Sequence, residues 1–175
     1  MLVTALSLTL VLGALVLWVV HSAATSAYLR DHPADPLSDE GATAEVVDAI
    51  VDVVRAARLH EPAGGYAFRS CKNVDDPPYQ VVVDMNFAVP QGNSVSYLED
   101  VATAMGQLGW TDTQLTTEHF GRKMTRAGLT AVFQRNPERT DLATMRVYGP
   151  CRVVTDHHAD DPVWTELTTR LRQTR

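Results

Sequence analysis

The residues with most to offer chemically lie near the C-terminus. Asp156-His157-His158-Ala-Asp160-Asp161 brings two imidazoles and three carboxylates into six positions, and these ligand types suit a divalent metal. Cys151 stands six residues before His157. A thiol near an imidazole is the pairing of a nucleophile with its base. In one reading, Asp156, His157, His158 and Asp160 bind a metal or serve an extracytoplasmic hydrolase. In the other, Cys151 ends a disulfide and the segment after it is a solvated tail. The spacing favours the second. Adjacent histidines in extended chain point in opposite directions, and no apolar wall adjoins them in sequence. No GxSxG, HExxH, SxxK, P-loop or GxGxxG pattern occurs, each of which would carry a mechanism. The expectation is a protein without enzymatic activity, cofactor or metal.

The chain has two cysteines, Cys71 and Cys151, 80 residues apart. Neither belongs to a CxxC or zinc-type pair. Each falls where a strand should end. Two cysteines in a domain outside the membrane usually pair, so a Cys71–Cys151 disulfide is expected.

The export argument rests on the N-terminus. Leu2 to Val20 is an uninterrupted apolar or small-residue run, and residues 1–27 hold no Lys, Arg, Asp or Glu. As a helix the run spans about 28 Å, against about 30 Å of bilayer hydrocarbon. Trp18 and His21 close it at headgroup depth. A retained transmembrane anchor over residues 1–22 is expected, with its N-terminus inside. Cleavage near Ala24 or Ala27 is the alternative, although a signal peptide's positive start is missing.

The formal charge of -6 argues against nucleic acid, which needs clustered Lys and Arg. The nearest approach is Arg122, Lys123 and Arg126 on an expected turn. The partners left are the membrane, through residues 2–20, and an envelope protein or cell-wall component.

These features must be carried by a small domain. Residues 23–42 read as a linker with Pro, Gly and charge. From Thr43 to Leu59, apolar residues recur at three and four, which predicts a helix. Val81, Val83, Met85 and Phe87 alternate as a strand should. Leu98, Val101, Ala102, Met105 and Leu108 form a second helical stripe ending at Gly109. Trp110 is expected as a core anchor leading into a strand over 111–117, with His119 exposed at its end. Leu129, Ala131 and Phe133, then Ala143, Met145 and Val147, predict hairpin strands. Trp164, Leu167 and Leu171 suggest a short helix in the tail 156–175.

The fold class is therefore α+β over residues 43–155. Two amphipathic helices pack on one face of a largely antiparallel sheet of about five strands, preceded by the transmembrane helix. The other face carries Asp84, Asn86, Thr130, Gln134, Thr144 and Arg146, and is solvated or an interaction surface. An accessory subunit of a membrane transport or secretion complex is a further reading. Its anchor would then be an interface through Gly13 and Ala14.

Arg69-Ser-Cys71 at a strand end, a helix running into Gly109-Trp110, and hairpins ending in Gly149-Pro-Cys151 together resemble the LppA-like lipoproteins of actinobacterial cell envelopes. The resemblance covers about residues 43–155 and implies an envelope location and a fold, not a reaction. The chain departs from that family in lacking a lipid-attachment Cys after its apolar run. A transmembrane anchor would take over that role.

Overall fold

The computed structural model describes residues 33–72, 75–90, 92–113 and 121–173. The expected anchor over 1–22 and His119 lie outside these. Among the described residues no helix is long and apolar enough to cross a membrane.

Helix α1 spans Asp39–Ala56 and strand β1 His60–Ser70. Strand β2 is Tyr79–Ala88 and helix α2 Ser94–Gln107. Strands β3 (Thr111–Asp112), β4 (Gly121–Arg126), β5 (Leu129–Arg135), β6 (Leu142–Tyr148) and β7 (Thr165–Glu166) follow, and helix α3 is Thr168–Arg172. The strands form one seven-stranded sheet in the order β3-β4-β5-β6-β2-β1-β7, with every pairing antiparallel.

The α+β class and the antiparallel sheet agree with the sequence pattern, but the strand count rises from about five to seven. Residues 60–65, His-Glu-Pro-Ala-Gly-Gly, contain breakers and read as a stop. They are instead the start of β1, which accommodates them with a register shift between His60 and Ala63. The two-residue β7 lies in the segment expected as tail and helix. It pairs Glu166 and Thr165 with Gly65 and Tyr66. Leu167 and Leu171 are buried in the core while Trp164 stays outside it, so only part of the expected stripe turns inward.

Helix α1 also begins earlier than expected. Ser38 accepts a hydrogen bond from the Gly41 amide at 3.1 Å. That side-chain cap satisfies one of the free donors of the first turn, and Asp39 and Glu40 sit where the helix dipole favours negative charge. The residues expected as linker therefore end at the cap. Leu37 forms a parallel bridge with Val153.

The core lies between the helices and one sheet face. Val46, Ile50 and Val53 of α1 and Met105 of α2 meet Val83, Met85, Phe87, Phe133, Met145 and Val147 of the sheet, all essentially inaccessible to water. Trp110 is buried with them, and the Arg126 guanidinium lies 5.1 Å from its ring centre. Helix α3 joins this layer through Leu171 and an Arg170–Asp48 ion pair of 2.6 Å to α1.

Candidate functional site

The chemically rich C-terminal segment is a strap across the end of the sheet. Cys71 and Cys151 are joined, with 6.1 Å between their Cα atoms. Two residues on, Val153 is fully buried and exchanges backbone hydrogen bonds with Tyr79 at 2.7 and 3.1 Å. The Leu37 amide donates to the Arg152 carbonyl at 2.9 Å. The strap is thus held between the entry to α1 and the start of β2.

Residues 154–156 and 158–166 are exposed, as expected of a solvated tail, and His157 is the exception. The side chain of His157 is only 6 % exposed. Its ring lies flat on Phe68, with centroids 3.7 Å apart and planes 1° apart, and Tyr79 meets it edge-on at 5.2 Å. The apolar wall missing from the local sequence comes from β1 and β2, with Phe68 89 residues and Tyr79 78 residues earlier in the chain. Nδ1 lies 2.8 Å from Asp160 Oδ2. On the opposite side Nε2 faces Asp39 Oδ1 at 3.5 Å, and neither of these buried atoms makes a hydrogen bond among the described residues.

His158 points elsewhere and is exposed. Its Nδ1 lies 2.9 Å from Asp156 Oδ2, while its backbone amide donates to Oδ1 at 3.0 Å. The single Tyr79 hydroxyl proton is shared between the same Oδ1 at 3.1 Å and the Asp75 carbonyl at 2.9 Å. Burial, then the Asp156 hydrogen bond and the charges of Asp75 and Asp156, push the Tyr79 phenol up to about 12. The His158 amide and ring hold Asp156 below the usual carboxylate range. The hydrogen bond and charge of Asp156 in turn raise His158.

The sequence-adjacent ligand set is therefore split. His157 and Asp160 form one pair and His158 and Asp156 another. The two carboxylates nearest His157 lie on opposite ring nitrogens, so they do not converge on a single ion. Among the described residues no group of three His, Cys, Asp or Glu stands arranged to hold a metal. The Cys151 sulfur is committed to the disulfide, which leaves no thiol nucleophile beside the imidazoles.

The second candidate is the sheet face away from the helices. Strand register sorts its side chains into cross-strand rows. One row runs Gly65, Asp84, Arg146, Val132, Lys123 from β1 to β4. A second runs Ala63, Asn86, Thr144, Gln134, Gly121, and a third Ala67, Val82, Tyr148, Thr130, Thr125. Asp84 and Arg146 form an ion pair across β2 and β6. Asp84, followed by Tyr148, holds the Arg146 guanidinium above its ordinary range. Thr144 donates to Asn86 Oδ1 at 3.1 Å.

At the β1 end Trp164, 38 % exposed, reaches over Gly65. A Cβ on Gly65 would clash first with the Thr165 carbonyl oxygen and then, at 2.6 Å, with the indole, so glycine is what lets both the β7 backbone and the ring lie against the strand. Ala67 and Val82 are buried on this face but separate from the main core. The sequence marked the polar residues of this face; the role of Trp164 was not legible, because β7 places it.

The family described as "Putative lipoprotein LppJ" matches residues 38–170. The chain belongs to this family. Proteins named "Putative lipoprotein LppJ" from Mycobacterium tuberculosis (strain ATCC 25618 / H37Rv) and Mycobacterium bovis (strain ATCC BAA-935 / AF2122/97) are each 37 % identical to the chain over 161 residues. Those alignments cover 91 % of this chain and 84 % of each relative. No solved structure matches. The resemblance read from the sequence thus holds at the level of an actinobacterial lipoprotein family. That family is LppJ; the finer LppA-like assignment is not supported. The matched residues include Ser38, both cysteines, the strap and Trp164.

Proposed function

We propose that the chain is a membrane-held, extracytoplasmic module of the cell envelope that binds a partner and has no enzymatic activity. The uncovered sheet face is its contact surface. The observation that carries this reading is the construction of that face. Asp84–Arg146 and Asn86–Thr144 are paired in register across β2 and β6, and no described helix covers them. A rigid antiparallel sheet with one face on the core and the other free is a suitable platform for recognition.

Membership of a lipoprotein family supports the envelope location, and a disulfide supports an oxidising compartment. No Cys occurs among residues 1–70, so no thiol follows the apolar run to carry a lipid. Attachment through Leu2–Val20 as a single-pass anchor replaces it. The strap chemistry has a structural role: it ties the start of α1, close behind the membrane segment in sequence, to the sheet.

The test is a photo-crosslinking amino acid introduced in cells at Gln134 on the open face, or at Asp52 on the solvent side of α1. Adducts from Gln134 with none from Asp52 are expected. Equal yields from the two positions would refute the sheet face as the contact surface.

A further inference from the structure

We propose that the domain binds a single-chain anionic amphiphile, a long-chain fatty acid, in a cavity between the start of α2 and strands β4 and β5. The cavity lies on the helix side of the sheet. The inference therefore goes beyond the sheet-face reading and does not depend on it.

The cavity follows from one apolar stripe that is covered only in part. Val95, Leu98, Ala102 and Met105 recur along α2 at three and four residues, the spacing of a single helix face. The second half of the stripe is core, with Ala102 and Met105 buried. The first half is not. Val95 is 72 % exposed, and Leu98 is only partly buried. Both line a cavity of about 470 Å³ with a predominantly apolar wall, to which Phe133 also contributes. That volume lies in the range of small-molecule sites. A helix start facing only water gains nothing from valine, a weaker helix former than most polar residues.

The charged lining residues among those described are Arg122, Arg135 and Glu99. Alternate residues of a strand share a face, so Arg135 lies on the same side of β5 as Phe133. Arg122 pairs with Phe133 across β4 and β5. Its charge is already matched, by Asp112 at 2.7 Å and Glu99 at 3.9 Å. Arg135 differs. It is exposed, its Nε donates to the Thr140 carbonyl at 3.2 Å, and among the described residues no carboxylate pairs with it. A guanidinium has five donors in a planar fork, a geometry that matches a carboxylate. An acyl chain along Val95, Leu98 and Phe133, with its carboxylate at Arg135, satisfies both parts of the lining. A neutral hydrocarbon would leave the cation unpaired, and a polyanion would meet an apolar wall and one unmatched charge.

The test is photolabelling of the full chain in isolated membranes with a diazirine analogue of palmitate, with adducts mapped by peptide mass spectrometry. Adducts are expected on α2 between Ser94 and Glu99 and on β5 near Arg135, and excess palmitate should suppress them. Hexadecanol, the same chain without the charge, should need about fivefold more to do so, the scale of one exposed ion pair. In R135Q that difference should vanish. Val95 is exposed, so V95D should keep the wild-type urea midpoint and label about tenfold less. Adducts scattered over the domain, labelling that excess palmitate leaves unchanged, equal competition by hexadecanol, or wild-type labelling of V95D would overturn the inference. Gln134 lies on the opposite face of β5, in the row of Thr144. Failure of palmitate labelling with Gln134 crosslinks intact therefore sinks this inference alone, and the reverse result sinks only the contact-surface reading.

Discussion

The His157 imidazole is stacked on the Phe68 ring, 3.7 Å between centroids and 1° between planes, with Asp160 on one ring nitrogen and Asp39 beyond the other. Three distant parts of the chain meet there: the first turn of α1, strand β1 and the C-terminal strap. His157→Ala removes the stacked ring and leaves Asp39 and Asp160 without their shared partner. Unfolding by urea should show a loss of about 2–3 kcal/mol. His157→Phe keeps the stack and should recover part of it. A change below about 0.5 kcal/mol, the usual size for a surface site, would show that the strap is not held by this residue.

Gly149 marks another close approach. A Cβ there would lie 2.7 Å from a methyl of Val46 and 3.3 Å from the Val81 carbonyl. Val46 is fully buried in α1, so the clash cannot be relieved by moving a side chain into solvent. Gly149→Ala should cost about 1–3 kcal/mol, the range of core overpacking. The V46A/G149A double variant should recover part of that loss. Strict additivity in chemical denaturation would mean that the two positions do not touch.

Tyr79 sets the alkaline limit. Its phenol stays protonated to about pH 12 in the folded chain, while an unfolded tyrosine ionises near pH 10. Between these values the unfolded state has lost a proton that the folded state keeps, so stability is intact below about pH 10 and falls as pH rises toward 12. Absorbance of phenolate should resolve one tyrosine that titrates late and only as the domain unfolds. Asp156→Asn should lower its midpoint. An ordinary midpoint for every tyrosine in the folded protein would refute this assignment.

Asp156 and His158 act in opposite directions. The folded Asp156 is lowered, so its contribution is present above the unfolded value of about 4 and is lost as pH falls through the folded one. The folded His158 is raised, so its contribution is full below about 6.5 and is lost as pH rises through its folded value. The pair is therefore strongest between about pH 4 and 6.5. In proton NMR, His158 should titrate above the ordinary histidine range, and Asp156→Asn should return it there. No movement on that substitution would show that Asp156 is not its partner.

The sequence identified the elements whose signal is local and missed those set by distant chain. The stripes of α1 and α2, and the alternation of Val81 to Phe87, Leu129 to Phe133 and Ala143 to Val147, are periodic enough to read directly. So were the two cysteines at strand ends. Only the opening of strand β1, residues 60–65, was hidden, because it contains Pro62, Gly64 and Gly65, breakers everywhere except at a bulged strand start or where another group packs close. Trp164 sits exactly where such a group is needed only once β7 has paired with β1. The polar residues of the open face were legible because alternation fixes which side each faces. His157 was not: its wall is Phe68 and Tyr79, and no local pattern in Asp156 to Asp161 distinguishes a buried imidazole from the exposed one beside it.

The most direct measurement is thiol labelling of the full chain in intact cells, with and without reductant, read by mass after membrane isolation. An extracytoplasmic, disulfide-closed module should label at neither cysteine before reduction and at both Cys71 and Cys151 afterwards. Its mass should include residues 1–27, and it should remain with the membrane. The 80-residue separation corresponds to about 4.5 kcal/mol of chain-entropy stabilisation, so the reduced protein should also unfold at lower urea. Free labelling of Cys71 or Cys151 in the folded protein before any reductant is added would place the domain in a reducing compartment and contradict the envelope assignment.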